Sequence, residues 1–476
     1  MQWEGSGQVS RIVIMGGGPA GYEAALVAAQ LGAEVTVVER EGMGGACVLD
    51  DCVPSKTFIA SSGVRTDLRR ANDLGVDADP RAAAVDLGRV NQRVLSLARA
   101  QSADVRTRLQ REGVRLLTGT ARFAEQSADA LPHAVEVLDE HGKSQERLSA
   151  DVVLVATGAT PRVLASAPPD GVRVLNWRQL YDLTELPEHL IVVGSGVTGA
   201  EFVSAYTEVG VSVTLVSSRD RVLPSEDADA ASVLEDVFAE RGVRIVPKAR
   251  AEKVRNEGDG VVVSLADGNT LTGSHALMTV GSVPNTEEIG LEHVGLDTDK
   301  GGFLAVDRVS RTRVPGIYAA GDCTGVLMLA SVAAMQGRIA IWHALGEGVS
   351  PIRLKTVASA VFTSPEIATV GISQAAIDAG DVQARTIMMP LGTNPRAKMQ
   401  GLRRGFVKLF CRPSNGAVIG GVVVAPVASE LILPIALAVQ TSLTVDDLAH
   451  TFSIYPSLSG SINEAGRQLM RHDDLD

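Results

Sequence analysis

Cysteine is scarce in this chain: four in 476 residues. That is too few to staple a secreted scaffold, so any cysteine pair is either catalytic or inert. Positive charge is scarce too. Lys and Arg number 44 against 56 Asp and Glu, a formal charge of −12, which argues against nucleic acid or an anionic membrane surface as partner. Long apolar runs are nearly absent. The one exception, residues 417–439, contains Pro426, Glu430 and Pro434; it reads as a buried strand followed by a core helix, not as a membrane span. The N-terminal MQWEGSGQVS is polar and leads straight into a strand, so no signal peptide is expected. No His, Cys or acidic cluster has metal-ligand spacing, and no metal is expected. These absences point to a soluble, cytoplasmic chain without a transmembrane segment.

Glycine, by contrast, is plentiful, with 48 residues. The chain is long enough for about three domains, and it contains itself twice. Residues 12–39 read IVIMGGGPAGYEAALVAAQLGAEVTVVE, and residues 190–217 read LIVVGSGVTGAEFVSAYTEVGVSVTLVS. In register, Gly16, Gly18 and Gly21 match Gly194, Gly196 and Gly199, and Glu23 matches Glu201. Each copy is a short apolar strand, a glycine turn, a helix and a second apolar strand, which is a βαβ unit. The first glycine of the motif allows a tight turn, the second lets a pyrophosphate approach, and the third lets helix and strand pack closely. A lone motif of this kind is weak evidence; two in register predict two dinucleotide sites.

The copies differ at one telling place. Glu39 ends the second strand of the first copy, where a carboxylate can accept hydrogen bonds from an adenosine ribose. Its counterpart is Ser217, followed by Ser218 and Arg219. Hydroxyls and a guanidinium suit a ribose bearing a 2′-phosphate, so the second site is read as accepting NADPH and also NADH. The alternative is a solvated turn at Ser217–Arg219 and a site that uses NADH.

After the first βαβ unit comes GGACVLDDCVPSK, Gly44 to Lys56. The segment that follows looks helical, and an ideal helix would hold Cys47 and Cys52 too far apart to bridge, so a bridge requires a distorted turn. Strained disulfides are the redox-active kind, and a cysteine near a helix N-terminus gains thiolate stability from the dipole. Asp50 and Asp51 stand between the cysteines. Aimed at the sulfurs they disfavour thiolate and repel anionic disulfides; aimed at solvent they mean little, and both readings stand.

These residues resemble the flavoprotein disulfide reductases, the family of lipoamide dehydrogenase, glutathione reductase and mercuric reductase, whose pattern is G-G-x-C-x-x-x-x-C-x-P-S-K. The resemblance covers nearly the whole chain. It extends to VATG at Val155–Gly158, TRVPGIYAAGD at Thr312–Asp322 and VFTSPEIATVG at Val361–Gly371. It implies an α/β fold of two Rossmann-type (βαβ) dinucleotide-binding domains plus a C-terminal α+β dimerisation domain. The expected order is an FAD domain over residues 8–160, an NAD(P)H domain over 161–282, a return to the FAD domain over 283–350, and dimerisation over 351–476. PNT at Pro284–Thr286 marks the return, and Ser282 replaces an arginine usual in relatives. Strands are expected in GFVKLF and VIGGVVV of the last domain.

By the same resemblance, FAD occupies the first βαβ unit, and NADPH or NADH, as substrate, the second. The implied FAD contacts are Gly16, Gly18, Pro19, Ala20, Gly21, Glu39, Arg40, Gly44, Gly45, Ala121, Thr157, Gly158, Asp322, Leu329 and Ala330. Those implied for the nicotinamide nucleotide are Gly194, Gly196, Gly199, Ser217, Ser218, Arg219 and Gly281. The implied catalytic residues are Cys47, Cys52, Lys56 and Glu201, with Cys52 nearest the flavin and Cys47 facing substrate. Lys56, paired with Glu201, would favour the negative charge that reduction builds on the flavin. Cys323 and Cys411 have no partner at useful spacing and are read as buried structural residues.

Relatives that reduce disulfides carry His-Pro-x-x-x-Glu in the dimerisation domain, used across the dimer for acid–base work. Here the segment is TFSIYPSLSGSINEA, with Tyr455 at the histidine and Gly460 at the glutamate. Tyrosine, with a reference pKa of about 10, is a poor base at neutral pH; His450 is off the motif and reads as a surface histidine at a helix end. The pattern resembles the actinobacterial NAD(P)H quinone reductases that branch from the lipoamide dehydrogenases. A homodimeric NAD(P)H:quinone reductase is therefore expected. The alternatives are a dihydrolipoamide-dehydrogenase-like disulfide reductase with a non-His base, an NADH–NADPH transhydrogenase, and a non-catalytic flavoprotein with a binding role.

Overall fold

Apolar runs of four residues, each closed by glycine and followed by a helix-forming stretch, favour strands buried on both faces and crossed over by helices. The computed structural model bears this out; it describes residues 9–79, 83–125 and 132–470. The chain divides into two units, residues 1–55, 92–162 and 281–352 forming the first and residues 56–91, 163–280 and 353–476 the second.

The first unit is built on a five-stranded parallel sheet in the order Ile317–Ala319, Val152–Val155, Arg11–Met15, Glu34–Glu39, Arg115–Thr118. A three-stranded antiparallel sheet, Thr120–Phe123, His133–Leu138 and Ser144–Ala150, packs its inward residues Val135 and Val137 into the same core as Val13 and Val153. On the other side lie the helices Pro19–Gln30 and Ala330–Ala344. They meet through small residues: Ala20, Ala24 and Ala28 share a core with Ala333 and Ala340. Contact is so close that a Cβ on Gly337 would collide with the Ala20 carbonyl oxygen.

The second unit repeats the scheme. Its parallel sheet runs Arg244–Val246, Ser212–Val216, His189–Val193, His275–Met278, Val174–Asn176, with an antiparallel trio at Ala251–Asn256, Val261–Leu265 and Thr270–Gly273. Also in this unit is a five-stranded antiparallel sheet, Ala358–Val361, Glu366–Gly371, Val418–Ala425, Phe406–Cys411, Arg385–Pro390. The two Rossmann-type domains and the C-terminal α+β domain are thus as expected.

The apolar run at 417–439 folds as a strand, Val418–Ala425, with every residue buried, followed by the short helices Ala428–Leu431 and Leu433–Thr441. The second is only half a core helix. Ile435 and Ala438 face inward, but Leu433 and Leu437 are exposed. Among the described residues no helix is long and apolar enough to cross a membrane. Cys323 and Cys411 are both fully buried, as expected.

Two glycine substitutions should separate packing from propensity. Gly337→Ala should lower stability by about 1–3 kcal/mol, because backbone must move to admit the methyl group. Gly63→Ala, on the helix Cys52–Ala71 where the added Cβ meets nothing within 4 Å, should raise it by up to about 1 kcal/mol. Thermal unfolding measures both; equal effects would contradict the close helix contact.

Candidate active site

Both glycine loops have the same geometry. Gly16 and Gly194 have φ of +111° and +116°, which L-residues avoid. A Cβ on either would strike a carbonyl oxygen of the neighbouring strand end, that of Ala156 or Thr279 respectively. Gly21 and Gly199 are closed off in the same way by the carbonyls of Gly16 and Gly194. Gly18 and Gly196 differ: nothing lies within 4 Å of the position their Cβ would occupy, and neither helix has a side chain capping its N-terminus. Each loop is therefore an open cradle at an uncapped helix N-terminus, with backbone N–H groups and the dipole favouring a phosphate.

In the first unit Glu39 accepts hydrogen bonds from Gly17 N–H (2.7 Å) and Glu41 N–H (2.8 Å). A carboxylate has about four acceptor positions, so two remain for ribose hydroxyls. Gly44 N–H bonds Gly17 O at 2.8 Å, and a Cβ on Gly45 would lie 2.9 Å from Gly18 Cα. The segment carrying the cysteines is thus laid directly on the phosphate loop. The predicted distortion is present: the helix Gly45–Leu49 stops at Asp50, whose N–H and that of Asp51 both bond Ala46 O, and a new helix begins at Cys52. Cys47 and Cys52 sit on different helical segments, both partly buried.

Asp322 follows Gly321, whose N–H is fixed by the buried Gln336 Oε1 at 2.9 Å. Burial, and then the nearby Asp51 carboxylate, push the Asp322 carboxyl up to about 6. Asp51 therefore bears on Asp322. Thr157 and Gly158 lie just beyond the strand Val152–Val155, where Asn285 bonds the carbonyls of both, at 2.9 Å each. Leu329 and Ala330 begin the helix Ala330–Ala344, and Pro19 and Ala20 begin the helix after the first loop. Arg40 is exposed beside Glu41. The Ala121 side chain is buried in the core, which leaves only its backbone for a nucleotide. These residues fit FAD: an open phosphate cradle, a ribose acceptor with spare lone pairs, and a carboxyl at the loop beyond.

In the second unit Ser217 is fully buried, its hydroxyl bonded to Ser195 Oγ at 2.7 Å and accepting from Arg219 N–H at 3.1 Å. Its place is inside the turn, and only Ser218 and Arg219 are exposed to meet a 2′-phosphate. Gly281, which belongs to the first unit, has φ +91° and faces open space. Lys56 and Glu201 come together as the resemblance implies, Nζ to Oε2 at 2.8 Å, with the Glu201 side chain only 5% exposed. Sequence reasoning missed what surrounds them. Glu201 Oε1 accepts from Phe362 N–H at 2.9 Å, and Lys56 Nζ lies 4.9 Å from the centre of the Phe362 ring. Next to last in the same helix, Glu208 accepts from Ser62 Oγ (2.6 Å) and Arg241 (3.2 Å). Its spacing of seven residues from Glu201 on an apolar helix was the available signal.

At the C-terminal segment Tyr455 is 82% exposed, and Gly460 opens the helix Gly460–Leu469. Glu464, one turn further, cannot stand in for the missing glutamate: hydrogen bonds from Arg467 and Gln468 hold it and bring its carboxyl down to about 2. His450 is a helix-end residue bonded to Asp446 O at 2.8 Å.

Residues 10–337 match the family model for pyridine nucleotide-disulphide oxidoreductases, and residues 357–466 match that family's dimerisation domain. An NAD(P)H dehydrogenase (quinone) of Mycobacterium tuberculosis is 64% identical over 98% of this chain and 95% of its own length. A dihydrolipoyl dehydrogenase of Haloarcula marismortui is 33% identical, over 96% of each. Among solved structures, LpdA of Mycobacterium tuberculosis superposes with a TM-score of 0.94 at 63% identity, covering 97% of this chain and all of that one.

Two measurements probe these geometries. Because the folded Asp322 carboxyl titrates near 6 and an ordinary one near 3.8, folding favours its protonated form. That contribution is complete below the ordinary value and is lost as pH rises through about 6. Asp322→Asn should therefore raise the Tm of the FAD-depleted protein at about pH 8 and leave it unchanged at about pH 4. Arg219→Ala should lower kcat/KM for NADPH about 10- to 100-fold, the loss of a charged hydrogen bond, and that for NADH by less than about twofold. Equal losses would remove Arg219 from 2′-phosphate recognition.

Proposed function

Because the chain belongs to the pyridine nucleotide-disulphide oxidoreductase family, we propose that it is an NAD(P)H dehydrogenase whose electron acceptor is a quinone. The observation that carries this reading is the replaced acid–base pair. Tyr455 and Gly460 stand where disulfide-reducing relatives have His and Glu, and Glu464 is locked to Arg467. Losing a positioned acid–base group costs about 10²–10⁴ in rate, which disfavours a thiol leaving group. A quinone takes its protons from water and needs no such group. The 64% identical relative with the quinone name agrees.

FAD and NAD(P)H are the family's cofactors; bound FAD supplies a carrier that accepts hydride from the nicotinamide and yields electrons to the acceptor. The rest falls to the chain. The two loops hold pyrophosphates at Gly18 and Gly196, Glu39 orients the FAD ribose, and Asp322 holds the ribityl chain. Lys56 presents its ammonium to the flavin, and the buried Glu201 fixes where that ammonium stands. Cys52, the first residue of the helix that carries Lys56 one turn later, gains thiolate stability from the helix dipole.

A second reading, reduction of a disulfide through Cys47 and Cys52, is favoured by the complete cysteine motif. We also read the chain as a homodimer. Phe452, Ile454 and Tyr455 are almost wholly exposed within the segment that matches the dimerisation domain, as are Leu433 and Leu437 in part. An apolar surface of this kind marks an interface.

Anaerobic NADPH oxidation with a naphthoquinone or lipoamide as sole acceptor tests the proposal. Quinone turnover should exceed lipoamide turnover at least about 100-fold, and Cys52→Ser should keep quinone activity. Tyr455→His with Gly460→Glu should raise lipoamide turnover selectively. Fast lipoamide turnover by the unaltered enzyme would overturn the quinone reading.

A further inference from the structure

Glu201 and Lys56 are not a bare pair. The carboxylate has two oxygens and each is used: Oε2 for Lys56 Nζ at 2.8 Å, Oε1 for the backbone N–H of Phe362 at 2.9 Å. The Phe362 ring then lies under the ammonium, 4.9 Å from Nζ to its centre. One residue thus supplies a donor to the anion and a π face to the cation. Its backbone is itself held: Ser364 N–H bonds Ser204 Oγ at 3.0 Å, and Arg241 donates to Ser364 Oγ at 3.1 Å and to Glu208 at 3.2 Å. Ser204, Glu208 and Glu201 all lie on the helix Val197–Val209, so residues 362–364 are pinned to the helix that carries the lysine's partner.

We propose that Phe362 is a positioning residue for the flavin-side cation: its ring fixes the Lys56 ammonium above it, while its N–H fixes the carboxylate on the other side. This rests on the reading that Lys56 serves the flavin. A lysine has a flexible four-carbon stem and a compact charge, so each contact made to the ammonium narrows where it can stand. The ring face adds a second fixed direction to the one that Glu201 sets, because its quadrupole attracts the cation toward the ring. The backbone bond survives any substitution at this position, so side-chain variants isolate the ring.

The experiment is a double-mutant cycle on the FAD-loaded enzyme. Phe362→Leu, which keeps bulk but removes the π face, and Phe362→Tyr, which keeps it, are each made with Lys56 and with Lys56→Met. The readouts are the two-electron potential of the bound flavin, by equilibration with a reference dye, and the rate of flavin reduction by NADPH in anaerobic stopped flow; thermal unfolding checks that each variant is folded. Phe362→Leu should lower the potential and slow reduction about 3- to 30-fold. Phe362→Tyr should stay within about twofold, and Phe362→Leu should add nothing in the Lys56→Met background. Equal effects of Phe362→Leu in both backgrounds would make the ring a packing residue and overturn the proposal. A silent Phe362→Leu beside a strong Lys56→Met would overturn it while leaving Lys56 in its role. A silent Lys56→Met would overturn the reading of Lys56 on which the proposal stands.

Discussion

A carboxylate withdrawn from water must have its charge answered nearby, or the fold bears several kilocalories per mole of desolvation. Glu201 is such a group, 4% exposed on a helix buried along most of its length. Meeting its demand brings together segments far apart in sequence: Lys56, Phe362 and the helix that follows the second glycine loop. Glu208 repeats the demand at the far end of that helix and is met by Ser62 and Arg241. Between them Phe58 stacks on Tyr206, with ring centres 5.0 Å apart, and Arg65 and Arg69 bond the last carbonyls, Val209 O and Thr207 O. The two helices are joined along their length by polar contacts at each end and an aromatic pair between.

What the sequence made legible was whatever local chemistry dictates. The glycine loops could be read because φ near +110° and backbone-on-backbone contact admit no other residue, and that constraint is written in the glycines themselves. The repeat doubled the signal. Helix geometry said only that a Cys47–Cys52 bridge would need a distorted turn, and the cysteines alone did not reveal that Gly44 and Gly45 would rest on the first glycine loop.

What stayed hidden depends on partners distant in sequence. Ser217 looked like a phosphate ligand because it aligns with Glu39, yet its hydroxyl is spent on Ser195 and Arg219 inside the turn. Alignment shows a position but not which way a side chain faces. Lys408 sits among apolar residues of a strand and is almost fully buried, answered by Asp227 at 2.8 Å and Asp229 at 2.6 Å. Nothing near Lys408 in sequence announces those acids. Phe362 had no signature at all, since a phenylalanine before Thr-Ser-Pro says nothing of a lysine three hundred residues earlier.

The helix Val197–Val209 has thirteen residues, a rod of about 20 Å. Its first turn leads out of the second glycine loop, its second carries the carboxylate that Lys56 meets, and its last is bolted to the helix that starts at Cys52. Glycine loop, lysine anchor and helix dock therefore share one regular helix, whose geometry fixes their spacing along a single axis.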